Sequence, residues 1–224
     1  MEDLKITKRT EEFIDSAEGK KLIKEIKRMV SIYNMALKEV KTKMEILNED
    51  LASQTKYSPI EYVKTRLKTP ESIIEKCIRK DYPLTIESIK ENILDIAGVR
   101  IVCTFVNDIQ KIVDIISQLE DLKVVKIKDY ITEPKPSGYS SMHMIIEVPV
   151  NLLSGKEFVE VEIQVRTIGM DFWASLEHKI KYKFDGTVPD YVKKDLFDCS
   201  KTVRNLDKKM LLLHEIVLGC EEEN

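Results

Sequence analysis

Between Lys20 and Leu51 the apolar residues recur at helical spacing: Leu22, Ile26, Met29, Val30, Tyr33, Leu37, Val40, Met44, Leu47 and Leu51, with lysines and glutamates between them. That period predicts a long amphipathic helix with a charged outer face. Tyr57-Ser58-Pro59 interrupts it. Thr69-Pro70 reads as a helix start, because proline at the first helical position gives up no hydrogen bond. Ile73, Ile74, Cys77 and Ile78 carry that helix to about Lys80, and Thr85 is placed to cap another short one. From Asp95 the period shortens to 2. Val99 to Val106 is β-branched and apolar, a strand. Asn107 is expected to cap a helix bearing Ile109, Ile112, Val113, Ile116 and Leu119. Lys123 to Ile131 reads as a second strand. A loop marked by Pro134, Pro136 and Gly138 leads to a third, Ser141 to Val150, and a Ser154-Gly155 turn to a fourth, Glu157 to Arg166. Thr167 caps a helix running through Trp173 to Tyr182. Pro189 opens a last helix to about Leu218, apolar on the side of Leu211, Leu212, Leu213, Ile216 and Val217.

The order is helices, then β-α-β-β-β, then helices. The first crossover calls for parallel strands, and the short later connection favours an antiparallel hairpin. The expected class is therefore α+β: a mixed, mostly antiparallel sheet flanked by helices, with helical extensions at both ends.

Composition narrows the functions open to such a fold. With only 7 Gly and 7 Pro in 224 residues, a collagen-like or low-complexity chain is excluded. The net charge of −3 lacks the bulk basicity of most nucleic-acid binders, so any phosphate-binding function must sit in a local cluster. Cys77, Cys103, Cys199 and Cys220 form no CxxC pair. A zinc or thioredoxin-type motif is thereby disfavoured, and Cys77 and Cys103 read as reduced core thiols. No apolar h-region follows Met1 and no apolar run approaches 18 residues, which points to a soluble, cytoplasmic protein.

The strand Glu157 to Arg166 is the most informative segment. Val159, Val161, Ile163 and Val165 share one face; Phe158, Glu160, Glu162, Gln164 and Arg166 share the other. Such a polar face fits plain solvent exposure, and it also fits the floor of a cleft. Asp95, just before a strand, reads as a turn residue or as the partner of Glu162 in a carboxylate pair. Mg²⁺ is commonly held by one or two carboxylates together with substrate phosphates. Arg66, Lys68, Ser72 and Lys76 bracket the helix starting at Pro70, with Ser72 and Lys76 on one helix face and free N–H groups at the terminus. In Lys135-Pro136-Ser137-Gly138-Tyr139-Ser140-Ser141-Met142-His143, a Gly-Tyr step in a Pro-bounded loop is suited to presenting a ring for base stacking. No GxxxxGK[ST], GxGxxG or GxSxG occurs, and no His is followed by Asp, so a P-loop enzyme and an HD-type phosphohydrolase are excluded.

Taken in order, five stretches resemble the synthetase domain of the RelA/SpoT family, and within it the stand-alone small alarmone synthetases. They are Arg66-Leu67-Lys68 with Ser72-Ile73 and Lys76; Asp95-Ile96-Ala97-Gly98-Val99-Arg100; Lys128-Asp129-Tyr130-Ile131 running into Lys135 through His143; Glu162-Ile163-Gln164-Val165-Arg166-Thr167; and Trp173-Ala174 through Glu177-His178 to Tyr182-Lys183. The resemblance implies a nucleotidyltransferase-like fold and Mg²⁺-dependent transfer of the β,γ-pyrophosphate of ATP to the 3′-hydroxyl of GTP or GDP, without hydrolase activity. By motif, Asp95 and Glu162 would hold Mg²⁺, and Glu162 would also orient or deprotonate the hydroxyl. Arg66 and Arg100 would flank adenine; Lys68, Ser72 and Lys76 would complete the ATP side. Tyr139 would stack on guanine, Lys128, Lys135 and His143 would line the acceptor site, and Gln164 and Arg166 would support its floor. The implied organisation is an N-terminal helical extension at 1–56, the synthetase domain at 57–185 and a C-terminal helical extension at 186–224. The implied partners are ATP, GTP or GDP, further copies of the chain in a homotetramer, and an alarmone or RNA as regulator, with no membrane.

Overall fold

The computed structural model describes residues 2–54, 57–183 and 188–222, and of Glu2, Asp3, Leu4, Lys181, Tyr182, Lys183, Cys220, Glu221 and Glu222 the backbone only. The domain limit drawn at 185 and the side chains of the Tyr182-Lys183 motif thus lie outside the described residues. In chain order the elements are α1 (Glu2–Asp15), α2 (Ala17–Gln54), β1 (Ile60–Leu67), α3 (Pro70–Lys80), α4 (Ile86–Asn92), β2 (Ala97–Cys103), α5 (Val106–Gln118), β3 (Lys123–Asp129), β4 (Met142–Leu152), β5 (Gly155–Thr167), α6 (Ile168–Lys183) and α7 (Asp190–Glu222).

Five strands form one sheet in the order β1-β2-β5-β4-β3. Only β2 and β5 pair in parallel; the other three pairings are antiparallel. The class is thus α+β with a mixed, mostly antiparallel sheet, as the pattern predicts, and the β4–β5 hairpin turns where Ser154-Gly155 stands. The first crossover differs from expectation. β2 and β3 run in the same direction but are not neighbours, because the β5–β4 hairpin inserts between them and leaves β3 at the edge. Two elements go beyond the sequence reading: α1, and the edge strand β1 directly after the Ser58-Pro59 break.

The core lies on one face of the sheet. Met144, Ile146, Val148 and Val150 of β4 and Val159, Val161, Ile163 and Val165 of β5 are buried there against Ile26, Tyr33, Ala36, Val40 and Met44 of α2 and Ile109, Ile112 and Ile116 of α5. Alternation therefore places every even-numbered residue of β5 from Glu160 to Arg166 on the opposite face. Cys77 and Cys103 are buried free thiols, while Cys199 is exposed.

Several caps fall where expected. The hydroxyl of Thr69 accepts from Ser72 N at 3.2 Å, that of Thr85 from Ser88 N at 3.2 Å and that of Thr167 from Met170 N at 3.0 Å. Asn107 does not cap α5. The helix starts two residues earlier with Phe105 at the cap, and the buried Asp108 carboxylate accepts from Phe105 N at 3.1 Å. Asp108 also accepts from the Tyr57 hydroxyl at 2.7 Å and pairs with Lys111 at 3.2 Å, so its burial is compensated. No described helix is long and apolar enough to cross a membrane.

Candidate active site

Strand register arranges the polar face in rows that run across the sheet. One row reads Arg66–Gly98–Glu162–Ile145–Lys126 from β1 to β3, and the next reads Lys64–Arg100–Gln164–His143–Lys128. A carboxylate at the middle strand thus has cations on both sides, a pattern set by pleat and pairing alone. Gly98 leaves open floor beside Glu162, since even a Cβ there would approach nothing closer than Arg66 O at 3.8 Å.

Asp95, on the turn entering β2, faces the same floor. Its oxygens take Lys68 Nζ at 3.0 Å and Lys76 Nζ at 2.7 Å. Burial alone would push its pKa up, but the two lysine contacts outweigh burial and hold the carboxyl below its ordinary value. Glu162 follows the same logic. Burial pushes it up, whereas His143 Nδ1 at 3.4 Å and the Gln164 amide at 2.8 Å bring the net shift down. Both groups are therefore held as carboxylates. Among the described residues no third Asp, Glu, His or Cys joins them in a metal-binding group. Two hard oxygen donors facing open space suit Mg²⁺, which keeps waters and completes its shell with phosphate oxygens; they do not form a closed protein cage.

Two cavities meet at this pair. One, about 280 Å³, is lined by Lys64, Arg66, Gly98, Arg100 and Gln164 together with Asp95 and Glu162. The other, about 300 Å³, is lined by Lys76, Lys126, Lys128, Tyr130, Lys135 and His143, again with Asp95 and Glu162. The two carboxylates form a wall common to both.

Most of the residues singled out from the sequence line these cavities or touch the carboxylate pair, with three differences: Ser72, Tyr139 and Arg166. Ser72 lines neither cavity; its side chain and amide are engaged with the Thr69 hydroxyl at 3.1 and 3.2 Å. Since Pro70 has no N–H and Ser72 N is capped, the start of α3 is not the open anion site its sequence suggests. Tyr139 is half-buried and lines neither of these two cavities. Its hydroxyl accepts from Ser141 Oγ at 3.0 Å and from Arg166 at 2.8 Å, and lies 2.8 Å from His143 Nε2. With the tautomer that lets His143 Nδ1 donate to Glu162, a hydrogen-bond chain runs Arg166–Tyr139–His143–Glu162. The Lys135 ammonium lies 4.7 Å from the Tyr130 ring centre and 4.9 Å from that of Tyr139. A base stacked on Tyr139 has to displace that cation.

Arg166 is a buried support and not a lining residue. It donates to Gln164 and lies 3.4 Å from Asp171, which also pairs with Arg100 at 3.0 Å and accepts from the Tyr62 hydroxyl at 2.9 Å. The sequence reading gives no role to Lys64, Lys126, Tyr62 or Asp171, nor to Tyr130 beyond its place in the stretch Lys128-Asp129-Tyr130-Ile131. For Lys64 and Lys126 a signal exists: each stands two residues from a flagged cation, Arg66 and Lys128, and so shares its strand face. Asp171 has none, because it enters only through the packing of α6.

Residues 65–187 match the family described as the region found in RelA / SpoT proteins. Over 192 residues the chain is 46% identical to GTP pyrophosphokinase YwaC of Bacillus subtilis (strain 168), covering 86% of this chain and 91% of that protein. The fold superposes on the crystal structure of small alarmone synthetase 1 from Bacillus subtilis bound to its product pppGpp, with TM-score 0.80 and 38% identity over 87% of this chain and 98% of that one. It also superposes on the same synthetase bound to AMPCPP, with TM-score 0.76 and 36% identity over 88% and 99%.

Proposed function

The chain belongs to the RelA/SpoT family, and from that premise we propose that it is a GTP pyrophosphokinase that makes alarmone, moving the β,γ-pyrophosphate of ATP to the 3′-hydroxyl of GTP or GDP. The products are AMP and pppGpp or ppGpp. The observation that carries this reading is the common wall: two cavities of nucleotide-binding character share Asp95 and Glu162 and little else. A reaction that joins parts of two nucleotides needs that geometry, with the reacting atoms at the junction.

ATP occupies the cavity of Arg66 and Arg100, whose guanidinium planes suit an adenine ring between them. Lys68 and Lys76, which neutralise Asp95 in the free protein, turn to the phosphates. The guanosine nucleotide occupies the other cavity, its phosphates near Lys126, Lys128 and Lys135 and its base against the Tyr130–Tyr139 corner. Its 3′-oxygen forms a bond to the β-phosphorus as the α,β-bridging oxygen leaves with AMP, and the hydroxyl proton is directed at Glu162. Because its carboxyl is held below the usual range, Glu162 orients and accepts through an already ionised oxygen. Asp95 and Glu162 would hold Mg²⁺, which when bound would supply charge neutralisation on the transferred group. The rest of the work is positioning and electrostatic stabilisation.

The test is a product assay with Mg²⁺, ATP and each of GTP, GDP and GMP, resolved by anion-exchange chromatography. AMP formed one-for-one with a more acidic guanosine nucleotide is the expected result, with no loss of that product on further incubation. ADP with phosphate, or an adenine acceptor preferred over guanine, overturns the proposal.

A further inference from the structure

A cavity of about 470 Å³ lies away from the carboxylate pair, between α7 and the turn after β3. Its floor is apolar, from Val106, Ile131 and Met170, and three cations of α7 stand over it: Lys201, Arg204 and Lys208. Their spacing puts them along one side of the helix. Lys201 pairs with Asp198 of its own helix at 3.1 Å, in an exposed contact. Arg204 and Lys208 have no ion pair or side-chain hydrogen bond among the described residues. The one carboxylate in the lining, Asp207, faces inward and accepts from the Thr167 hydroxyl at 2.7 Å. Burial pushes its pKa up, which disfavours the charge that would oppose an anion. An apolar floor beneath convergent, uncommitted cations is the layout of a small-molecule site for a ligand with an organic body and phosphate groups.

We propose that this cavity binds a phosphate-bearing small molecule through Arg204 and Lys208, at a site separate from the catalytic cleft. Its placement gives such binding a route to the cleft. Gly138, with φ +91°, packs so tightly on α7 that a Cβ there would lie 2.2 Å from Ser200 Oγ. Gly169 meets Val203 and Asp207 as closely as 2.9 Å by the same measure. Ile131 and Thr132, on the opposite wall, are fixed by Asp129, which accepts from their amides at 2.7 and 2.9 Å. A ligand drawn between α7 and this turn therefore bears on the Lys135–Tyr139 segment from behind. That consequence rests on the proposed function; the binding itself does not.

The test uses the full chain, free of metal and nucleotide, with inorganic tripolyphosphate as probe and amide hydrogen exchange as readout. Protection is expected in peptides covering residues 200–208 and 130–133. In Arg204→Ala/Lys208→Ala the midpoint for that protection should rise at least about tenfold, the loss expected for two charge-assisted contacts, while protection around Lys76 and Asp95 persists. The charge-keeping Arg204→Lys/Lys208→Arg variant should retain most of the binding. Should the alanine pair fail to fold, the exposed Lys201→Gln/Lys208→Gln pair serves in its place, with a smaller rise expected. Protection confined to the Lys76 and Asp95 region, or a midpoint unmoved by these substitutions, overturns the proposal. A chain that fails to make alarmone yet shows the α7 protection would sink the functional reading and leave this site standing.

Discussion

Glu162 and Asp95 sit where burial and local charge oppose each other, and in both the local contacts win. Replacing Glu162 by Gln keeps its size and much of its contact with Gln164 but removes the charge aimed at the acceptor hydroxyl. AMP formation by Glu162→Gln should fall by a factor on the order of 10²–10³, the scale of losing one preorganised transition-state contact, while ATP affinity measured by calorimetry stays within a few fold. Tyr139→Phe tests the hydrogen-bond chain behind Glu162. It keeps the ring and removes the hydroxyl that links Arg166 to His143. The expected result is a lower kcat with KM for ATP unchanged, and a larger loss would follow from unfolding, which circular dichroism detects. Asp207 gives the pH prediction. Its pKa is raised by burial, so the folded state holds the proton more tightly than the unfolded chain. The cost of ionising it is absent below the unfolded aspartate pKa of about 3.9 and complete above its folded value. Asp207→Asn, which still accepts from Thr167, should therefore raise the Tm at neutral pH by a few degrees and lose that advantage as the pH falls toward 4.

Among elements, the helix α7 and the loop before β4 depend on each other. The loop is closed by Gly138 N donating to Lys135 O at 2.8 Å and Lys135 N donating to Tyr139 O at 3.0 Å, which sets Lys135 and Tyr139 side by side. Gly138→Ala is strained both by its positive φ and by Ser200. It should raise KM for the guanosine acceptor about tenfold or more with little change in KM for ATP, a split that steady-state kinetics reads directly. Ser200→Gly in the same chain should recover part of the loss, the part due to contact rather than φ. The helices and strands of the core could be read from the sequence because burial is periodic in them: α2, α3 and β5 repeat at 3.6, 3.6 and 2 residues. β1 hid because it is an edge strand with only Ile60 fully buried, and its charged residues, which guard an edge, read as a basic cluster. The place of β3 hid for another reason. Hydrophobic alternation says which face of a strand is buried but not which strand lies beside it, so the insertion of the β4–β5 hairpin between β2 and β3 left no mark in the pattern. The motif residues of the cleft were legible through Asp95, Glu162 and the flanking cations. The inward turn of the Tyr139 hydroxyl was not, because it is decided by Arg166 and Ser141 together.

For the molecule as a whole, the C-terminal half of α7 poses a packing problem that one chain does not solve. Leu206, Met210, Leu212, Leu213, Ile216 and Val217 are each roughly half exposed or more. Leu206, Met210, Leu213 and Val217 follow a 4-3-4 spacing, the seam of a helix that packs against another helix. An apolar stripe of that length left in water favours association over isolation. A second copy of the chain supplies a matching stripe by symmetry, since closed assemblies repeat one patch on itself. α7 is also the helix that packs on Gly138, so an assembly built on this stripe would bear on the loop before β4 through the same helix. One self-paired stripe closes a dimer, and the homotetramer that the family resemblance implies needs a second interface besides it. Leu206→Glu/Leu213→Glu places charge on that seam without touching the residues that face Gly138, Gly169 or Thr167. Light scattering coupled to size exclusion should then report a smaller species than the tetramer, with circular dichroism showing α7 retained in part. If the stripe only packs chains together, the smaller species keeps its KM for the guanosine nucleotide. If assembly holds α7 against the loop, that KM rises while KM for ATP stays, the same split expected of Gly138→Ala. A tetramer that survives both glutamates would place the interface elsewhere on the surface.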